Sequence, residues 1–193
     1  MDITVNCIVA VDKQLGIGKN GTMPWPYLKN EMMYFQKMTS TPSVIGEKNV
    51  VIMGKRTWFS IPEKKRPLAN RINIILSREL REPPKGAHFL ARTLDDAFNF
   101  YRQYKLTKQL NTVWVIGGKS VYESVLNYEC SLKLYITRIM ESFDCDVFFP
   151  SINFTEYTML SELPGKDTNF EENGIKYKFQ VYEKRLINKA VTQ

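Results

Sequence analysis

Four short stretches of the chain combine β-branched or apolar residues between turn residues: Thr4–Val11 and residues 49–53, 72–76 and 113–116. Such runs read as buried strands. Three stripes at helical spacing lie between or after them. They are Leu28, Met32, Phe35 and Met38; Leu94, Ala97, Phe98 and Tyr101; and Val121, Tyr122, Val125 and Leu126. Thr93 followed by Asp96 marks the start of the second helix as a capping pair. Strands alternating with helices predict a largely parallel sheet covered on both faces.

The pattern changes in the last third. Residues 132–139, Tyr157–Leu160 and 175–183 read as strands with no helix between them, and 176–182 alternate polar and apolar. The expected fold class is therefore α/β, with a mixed, mainly parallel twisted sheet flanked by helices and ending in a C-terminal antiparallel hairpin. Residues 1–184 read as one domain, and 185–193 as a patternless tail.

At 193 residues, 44% hydrophobic and 24% charged, the chain is long enough and apolar enough for a continuous core. No apolar run is long enough to span a bilayer, and the N-terminal run reads as a strand instead of a signal peptide. A cytoplasmic location is expected. Cys7, Cys130 and Cys145 have no zinc or redox spacing and are expected as buried free thiols. With His88 as the sole histidine, a histidine triad or histidine-rich metal site is nearly excluded, and no metal is expected. The chemistry falls to carboxylates or a cofactor.

Gly16-Ile17-Gly18-Lys19-Asn20-Gly21 matches the dinucleotide fingerprint letter for letter. That motif needs a helix to open at its last glycine, whereas Pro24 and Pro26 forbid one here. The segment reads as a flexible loop, either a lid or a plain surface turn. Gly117-Gly118-Lys119-Ser120 lacks the earlier glycine of a phosphate loop, since position 113 is Val113, but its strand, Gly-Gly, helix context suits an anion. Gly54-Lys55-Arg56-Thr57 repeats that design, and Ser77-Arg78 follows another strand. Basic and hydroxyl residues thus gather at the carboxyl ends of parallel strands, where open α/β sheets bind ligands. Several separate cationic contacts suit a 2′-phosphorylated dinucleotide; solvated surface charges are the other reading. The net charge of +7 also permits nucleic acid, but no aromatic–basic RNA-reading motif is present.

Glu31 lies three residues after Leu28 and four before Phe35, on the apolar stripe. Burial there would demand a partner and favour its proton-carrying form. Glu31 is also near the helix start, where backbone N–H groups stabilise a carboxylate. Helical geometry leaves both readings open.

Taken together the motifs decide more. The chain resembles dihydrofolate reductase, most closely the vertebrate type. The resemblance rests on residues 6–11 and 16–21, Pro24-Trp25-Pro26, Asn30-Glu31 with Tyr34-Phe35-Gln36, residues 51–55 and 57–62, Arg66-Pro67-Leu68, Arg71-Ile72-Asn73, residues 76–80, Ile116-Gly117-Gly118, residues 137–140 and Phe148-Phe149-Pro150, in family order to about Lys184. It implies a catalytic group of Glu31, Trp25 and Met23. Glu31 would bind the pteridine with Thr137 hydrogen-bonded to its carboxylate, and Trp25 would hold a water. Phe35 would pack on the ring, the carbonyls of Ile8 and Ile116 would line the pocket, and Val9 and Gln36 would adjoin it. Met32, Ile61 and Leu68 would contact the benzoyl-glutamate, Arg71 would pair with its carboxylate, and Lys65 would lie toward a polyglutamate end.

The implied cofactor is NADPH. Lys55, Arg56, Thr57, Ser77, Arg78 and Arg92, with Leu76 beside them, would hold its phosphates and adenosine. Gly117 and Gly118 with Lys119, Ser120, Val121 and Tyr122 would take the pyrophosphate. Ala10, Gly16, Ile17, Gly18, Lys19, Asn20, Gly21 and Thr22 would surround the nicotinamide and its ribose. The resemblance also implies cis peptides at Arg66–Pro67 and Gly117–Gly118.

Met32 stands where phenylalanine is usual, Lys65 for asparagine, Thr22 for aspartate and Lys119 for serine; none removes the implied chemistry. That chemistry is hydride transfer to C6 of 7,8-dihydrofolate with protonation at N5, in which Glu31 orients the ring and the proton arrives through water. The expected partners are dihydrofolate and folate analogues such as antifolates, with no membrane or obligate protein partner, and a monomer. A pterin or pyrimidine reductase on the same fold, with less need for Arg71, is the nearest rival.

Overall fold

A computed structural model describes residues 3–160 and 169–184. Along the chain come β1 (Thr4–Val11), β2 (Gly16–Gly18), α1 (Lys29–Ser40), β3 (Lys48–Gly54), α2 (Lys55–Ser60), β4 (Arg71–Leu76), β5 (Phe89–Ala91), α3 (Leu94–Tyr104), β6 (Leu110–Val115) and α4 (Lys119–Leu126). Then follow β7 (Ser131–Ile139), β8 (Val147–Phe148), β9 (Tyr157–Leu160), β10 (Asn169–Glu172) and β11 (Ile175–Lys184).

The main sheet runs β10-β11-β7-β1-β6-β3-β4-β5. From β7 to β5 every pairing is parallel, while β11 lies antiparallel to β7. Both β9 and β10 pair with β11, also antiparallel. The C-terminal hairpin is therefore β10–β11, turned by Asn173 and Gly174 at φ 54° and 76°. That left-handed pair is what a two-residue hairpin turn requires. The polar, exposed β10 carries no apolar alternation, so hydrophobic pattern alone passes over it.

β1 and β3 are buried at nearly every position because helices cover both faces. The strand period of two divides them. Val5, Cys7, Val9 and Val11 face a core shared with Leu94, Ala97 and Phe98 of α3 and Val121 and Val125 of α4. Ile8, Val51, Met53, Trp114 and Ile116 face the other way, toward Tyr34, Phe35 and Met38 of α1. The capping box at Thr93 and Asp96 forms as the sequence predicts. No helix begins until Lys29, past both prolines.

Three expectations change. Cys7 and Cys130 are buried, but Cys145 is only half-buried, in the β7–β8 loop where its thiol points at Asp12. Residues 16–22 are not a featureless loop: β2 pairs with β8, Lys19 and Thr22 exchange backbone hydrogen bonds, and Asp146 accepts from the Asn20 N–H at 2.9 Å. The α1 stripe is not a filled core face. Met32, Phe35 and Met38 are only half-buried, while Glu31 and Thr39 are the buried positions of the helix. Phe35 and Met38 pack against the second core cluster with part of their surface left exposed. The tail at 185–193 lies outside the described residues.

Candidate active site

Glu31 is 6% exposed. Its Oε1 accepts a hydrogen bond from the Thr137 hydroxyl at 3.0 Å. Thr137 sits on β7 opposite Ala10 of β1, so the pair spans from α1 to the middle of the sheet. The competing role at the helix start belongs to another residue. Glu172 of β10 accepts from the Asn30 N–H at 3.0 Å with each oxygen and from the Glu31 N–H at 3.4 Å. With those amides satisfied, the Glu31 carboxylate is free to face inward. Burial pushes its pKa up to about 7, the Thr137 hydrogen bond pulls it back, and the charge of Glu172 adds to the rise. Near neutral pH, Glu31 exchanges a proton readily.

Around this carboxylate the cleft is apolar. Trp25, 5% exposed, packs edge-on to Phe143 at 5.9 Å between centroids. Phe35, Ile61 and Leu68 are half-buried against Ile8 and Ile116. The Ile8 carbonyl accepts from the buried Tyr122 hydroxyl at 2.9 Å, which leaves it one lone pair for any other donor. Val9 points to the opposite face of the sheet, so only its backbone can reach the cleft. Gln36 and Met23 are exposed, and Lys65 lies exposed on a single 3₁₀ turn.

Arg71 is buried, with Nη1 donating to Thr39 Oγ1 at 2.7 Å and Nε to the Ala69 carbonyl at 3.0 Å. It takes part in none of the ion pairs among the described residues. A buried guanidinium held only by neutral acceptors is prepared for an anion.

At the far side, β3 and β6 end in helix starts that carry no side-chain cap, at Gly54 and Gly118. Arg66–Pro67 and Gly117–Gly118 are both cis. A Cβ on Gly117 would meet the Tyr122 hydroxyl at 3.0 Å, and one on Gly118 would meet Thr57 Oγ1 at 3.2 Å. Glycine at both positions is what lets Tyr122 and Thr57 pack this closely against the backbone at the helix start. Lys55, paired with Glu79, and the exposed Arg56, Arg78, Lys119 and Ser120 surround the opening. Uncapped N–H groups and cations together fit an oligophosphate. Two expected members also have structural work. Ser77 Oγ accepts from the Glu79 and Leu80 N–H groups at 3.2 and 3.1 Å. Arg92 donates to the Ser77 carbonyl at 2.8 Å and to that of Leu80. Leu76 and Val121 pack into the core below.

Comparison with known proteins shows the family. The family model for dihydrofolate reductase matches residues 4–184. The chain belongs to the dihydrofolate reductase family. It is 58% identical over 182 residues to dihydrofolate reductase of Rattus norvegicus, covering 94% of this chain and 97% of that one. The Bos taurus enzyme is also 58% identical, over 181 residues, covering 93% and 97%. Among solved structures, dihydrofolate reductase of Schistosoma mansoni superposes with a TM-score of 0.82 at 33% identity, covering 95% of this chain and 99% of that one. As a dihydrofolate reductase the chain is an oxidoreductase that works with a nicotinamide cofactor. Among the described residues no helix is long and apolar enough to cross a membrane, and no cluster of metal-ligating side chains occurs.

Sequence reading missed three residues that shape this dihydrofolate reductase site. Thr39 braces Arg71 and Glu172 holds the start of α1, while Tyr122, expected beside the pyrophosphate, engages Ile8 through its hydroxyl. Asp12, 1% exposed, accepts from the N–H groups of Gln14, Gly16 and Phe143 at 2.8, 2.7 and 2.9 Å, tying the β2 segment to the β7–β8 loop. Asn173-Gly174 was the one available signal: a hairpin turn there places Glu172 beside β11.

Proposed function

We propose that this chain reduces 7,8-dihydrofolate to 5,6,7,8-tetrahydrofolate with NADPH, and so supplies one-carbon metabolism for thymidylate and purine synthesis. The observation that carries the reading is the buried Glu31 held by Thr137, with its helix-start alternative taken by Glu172. The pteridine lies on the α1 face, its ring against Phe35 and its polar edge on Glu31. Trp25 borders that end, and Met23 lies on the approach. Met32, Ile61 and Leu68 receive the benzoyl group, Arg71 takes the glutamate carboxylate, and Lys65 extends the positive field outward. NADPH, when held at the cofactor edge, would supply the hydride for C6. Glu31 raises the population of the protonated substrate at N5 and relays its proton through water, an assistance worth roughly 10²–10⁴-fold in rate.

The phosphates and adenosine fall to Lys55, Arg56, Thr57, Ser77 and Arg78, with Arg92 acting through the turn it braces. Gly117, Gly118 and the start of α4 take the pyrophosphate. Ala10, Ile17 and residues 16–22 enclose the nicotinamide, and exclude water when they close over it. The distinction between NADPH and its unphosphorylated counterpart rests on the excess of cations at this edge. Three free cysteines suit a reducing, cytoplasmic setting, and we read the protein as a monomer.

The test is direct. Purified protein is mixed with NADPH, and absorbance of the reduced nicotinamide is followed with and without dihydrofolate. Loss of absorbance only with dihydrofolate is expected; no loss with it refutes the reading. A biopterin-type substrate without a glutamate tail should turn over far less efficiently, because Arg71 then has no anion to bind.

A further inference from the structure

Glu172 closes β10 immediately before the Asn173-Gly174 turn. Its carboxylate meets the first turn of α1 through the Asn30 and Glu31 N–H groups and also accepts from the Tyr177 hydroxyl of β11. Asn173 adds a hydrogen bond from its Nδ2 to the Tyr27 carbonyl at 3.1 Å, so the same hairpin also holds the chain leading into the helix. The hairpin thus bears a negative charge directly on the turn that presents Glu31.

The groups facing Glu31 come from every side. They are Thr137 of β7, Tyr34 of α1, Tyr122 of α4, Tyr177 of β11 and Glu172 of β10. Burial raises the pKa of all three tyrosines, so they stay neutral. Burial alone would raise that of Glu172 too. The Tyr177 hydroxyl and the N–H groups of α1 outweigh it and hold the group below the usual carboxylate range, so it stays ionised. Glu172 is thus the ionised neighbour of Glu31.

We propose that Glu172 is a positioning residue for the reaction: through the Asn30 and Glu31 N–H groups it fixes the first turn of α1 that presents Glu31, and it sets a negative charge beside that turn. This rests on the role given to Glu31 above. The hairpin charge extends the pH range over which Glu31 holds its proton toward neutrality, where burial and the Thr137 hydrogen bond oppose each other.

The test compares the unaltered protein with Glu172→Gln and Tyr177→Phe. Isotope-edited NMR of the carboxyl carbons reads the Glu31 midpoint without any substrate, and kcat/KM for dihydrofolate is followed against pH. In Glu172→Gln the midpoint should fall by roughly 0.5 in pH, from one screened charge at this range. The alkaline decline of kcat/KM should move with it, a loss of about threefold above the midpoint. Tyr177→Phe removes a hydroxyl and keeps the charge, so its Glu31 midpoint should not fall. An unmoved midpoint in Glu172→Gln, or equal falls in both variants, overturns the proposal. A kcat/KM profile in the unaltered protein that ignores the NMR midpoint refutes the role of Glu31 itself, a separate failure.

Discussion

Glu31 and Lys55 both stand at the start of helices packed on the same sheet, yet their surroundings differ sharply. Glu31 is 6% exposed, with a hydroxyl as its side-chain partner. The Lys55 side chain is 30% exposed and pairs with the largely exposed Glu79, among Arg56 and Arg78 at the surface. One end of the cleft works by desolvation, where a single polar group is costly to change and salt has little effect. The other works by a sum of screened charges, none of which is individually decisive. In the proposed reading, substrate chemistry and cofactor capture occupy two electrostatic regimes of one sheet.

Breaking the desolvated end should have the largest effect. Glu31→Gln should lower turnover near neutral pH by about 10²–10⁴-fold while leaving the Kd for NADPH within about twofold, as read by tryptophan fluorescence. Near-normal turnover would place the proton relay elsewhere. The same burial carries a stability signature. The Glu31 pKa rises on folding from 4.5 to about 7, so the folded state binds the extra proton between those values. Its contribution is therefore full below the lower value and lost as pH rises to the upper one, by about 3 kcal/mol. Urea unfolding across that window should show the decline, and Glu31→Gln should remove it.

Arg71→Ala should raise KM for dihydrofolate by about 10–100-fold, the loss of a charge-assisted bond, and leave NADPH binding unchanged. At the screened end, Lys55→Ala or Arg78→Ala should raise KM for NADPH by only about 3–10-fold each at low salt, and less as salt increases. Salt-independent losses there would mean that the two regimes are one. Thr137→Val should be mildest in binding. It removes the bond that lowers the Glu31 pKa, so the alkaline decline of kcat/KM should move upward in pH.

Much of the fold was legible because buried parallel strands announce themselves as apolar runs, as at Thr4–Val11. The capping pair Thr93–Asp96 and the prolines at 24 and 26 were equally local signals. β10 was not legible, since an exposed edge strand needs no apolar alternation. Likewise Asp12 and Thr39 look like ordinary polar residues until the chain folds around them.

Sequence alone determined that a carboxylate sits on the apolar side of α1, that cations follow the parallel strands, and to which family such an order of motifs belongs. Which of two roles Glu31 plays was a tertiary decision. Its resolution depended on Glu172, more than a hundred residues away, arriving through a hairpin to occupy the helix start. Periodicity records which face a side chain takes, because that follows from backbone geometry. It holds no record of who else competes for the same N–H groups, because those competitors meet only in the folded chain.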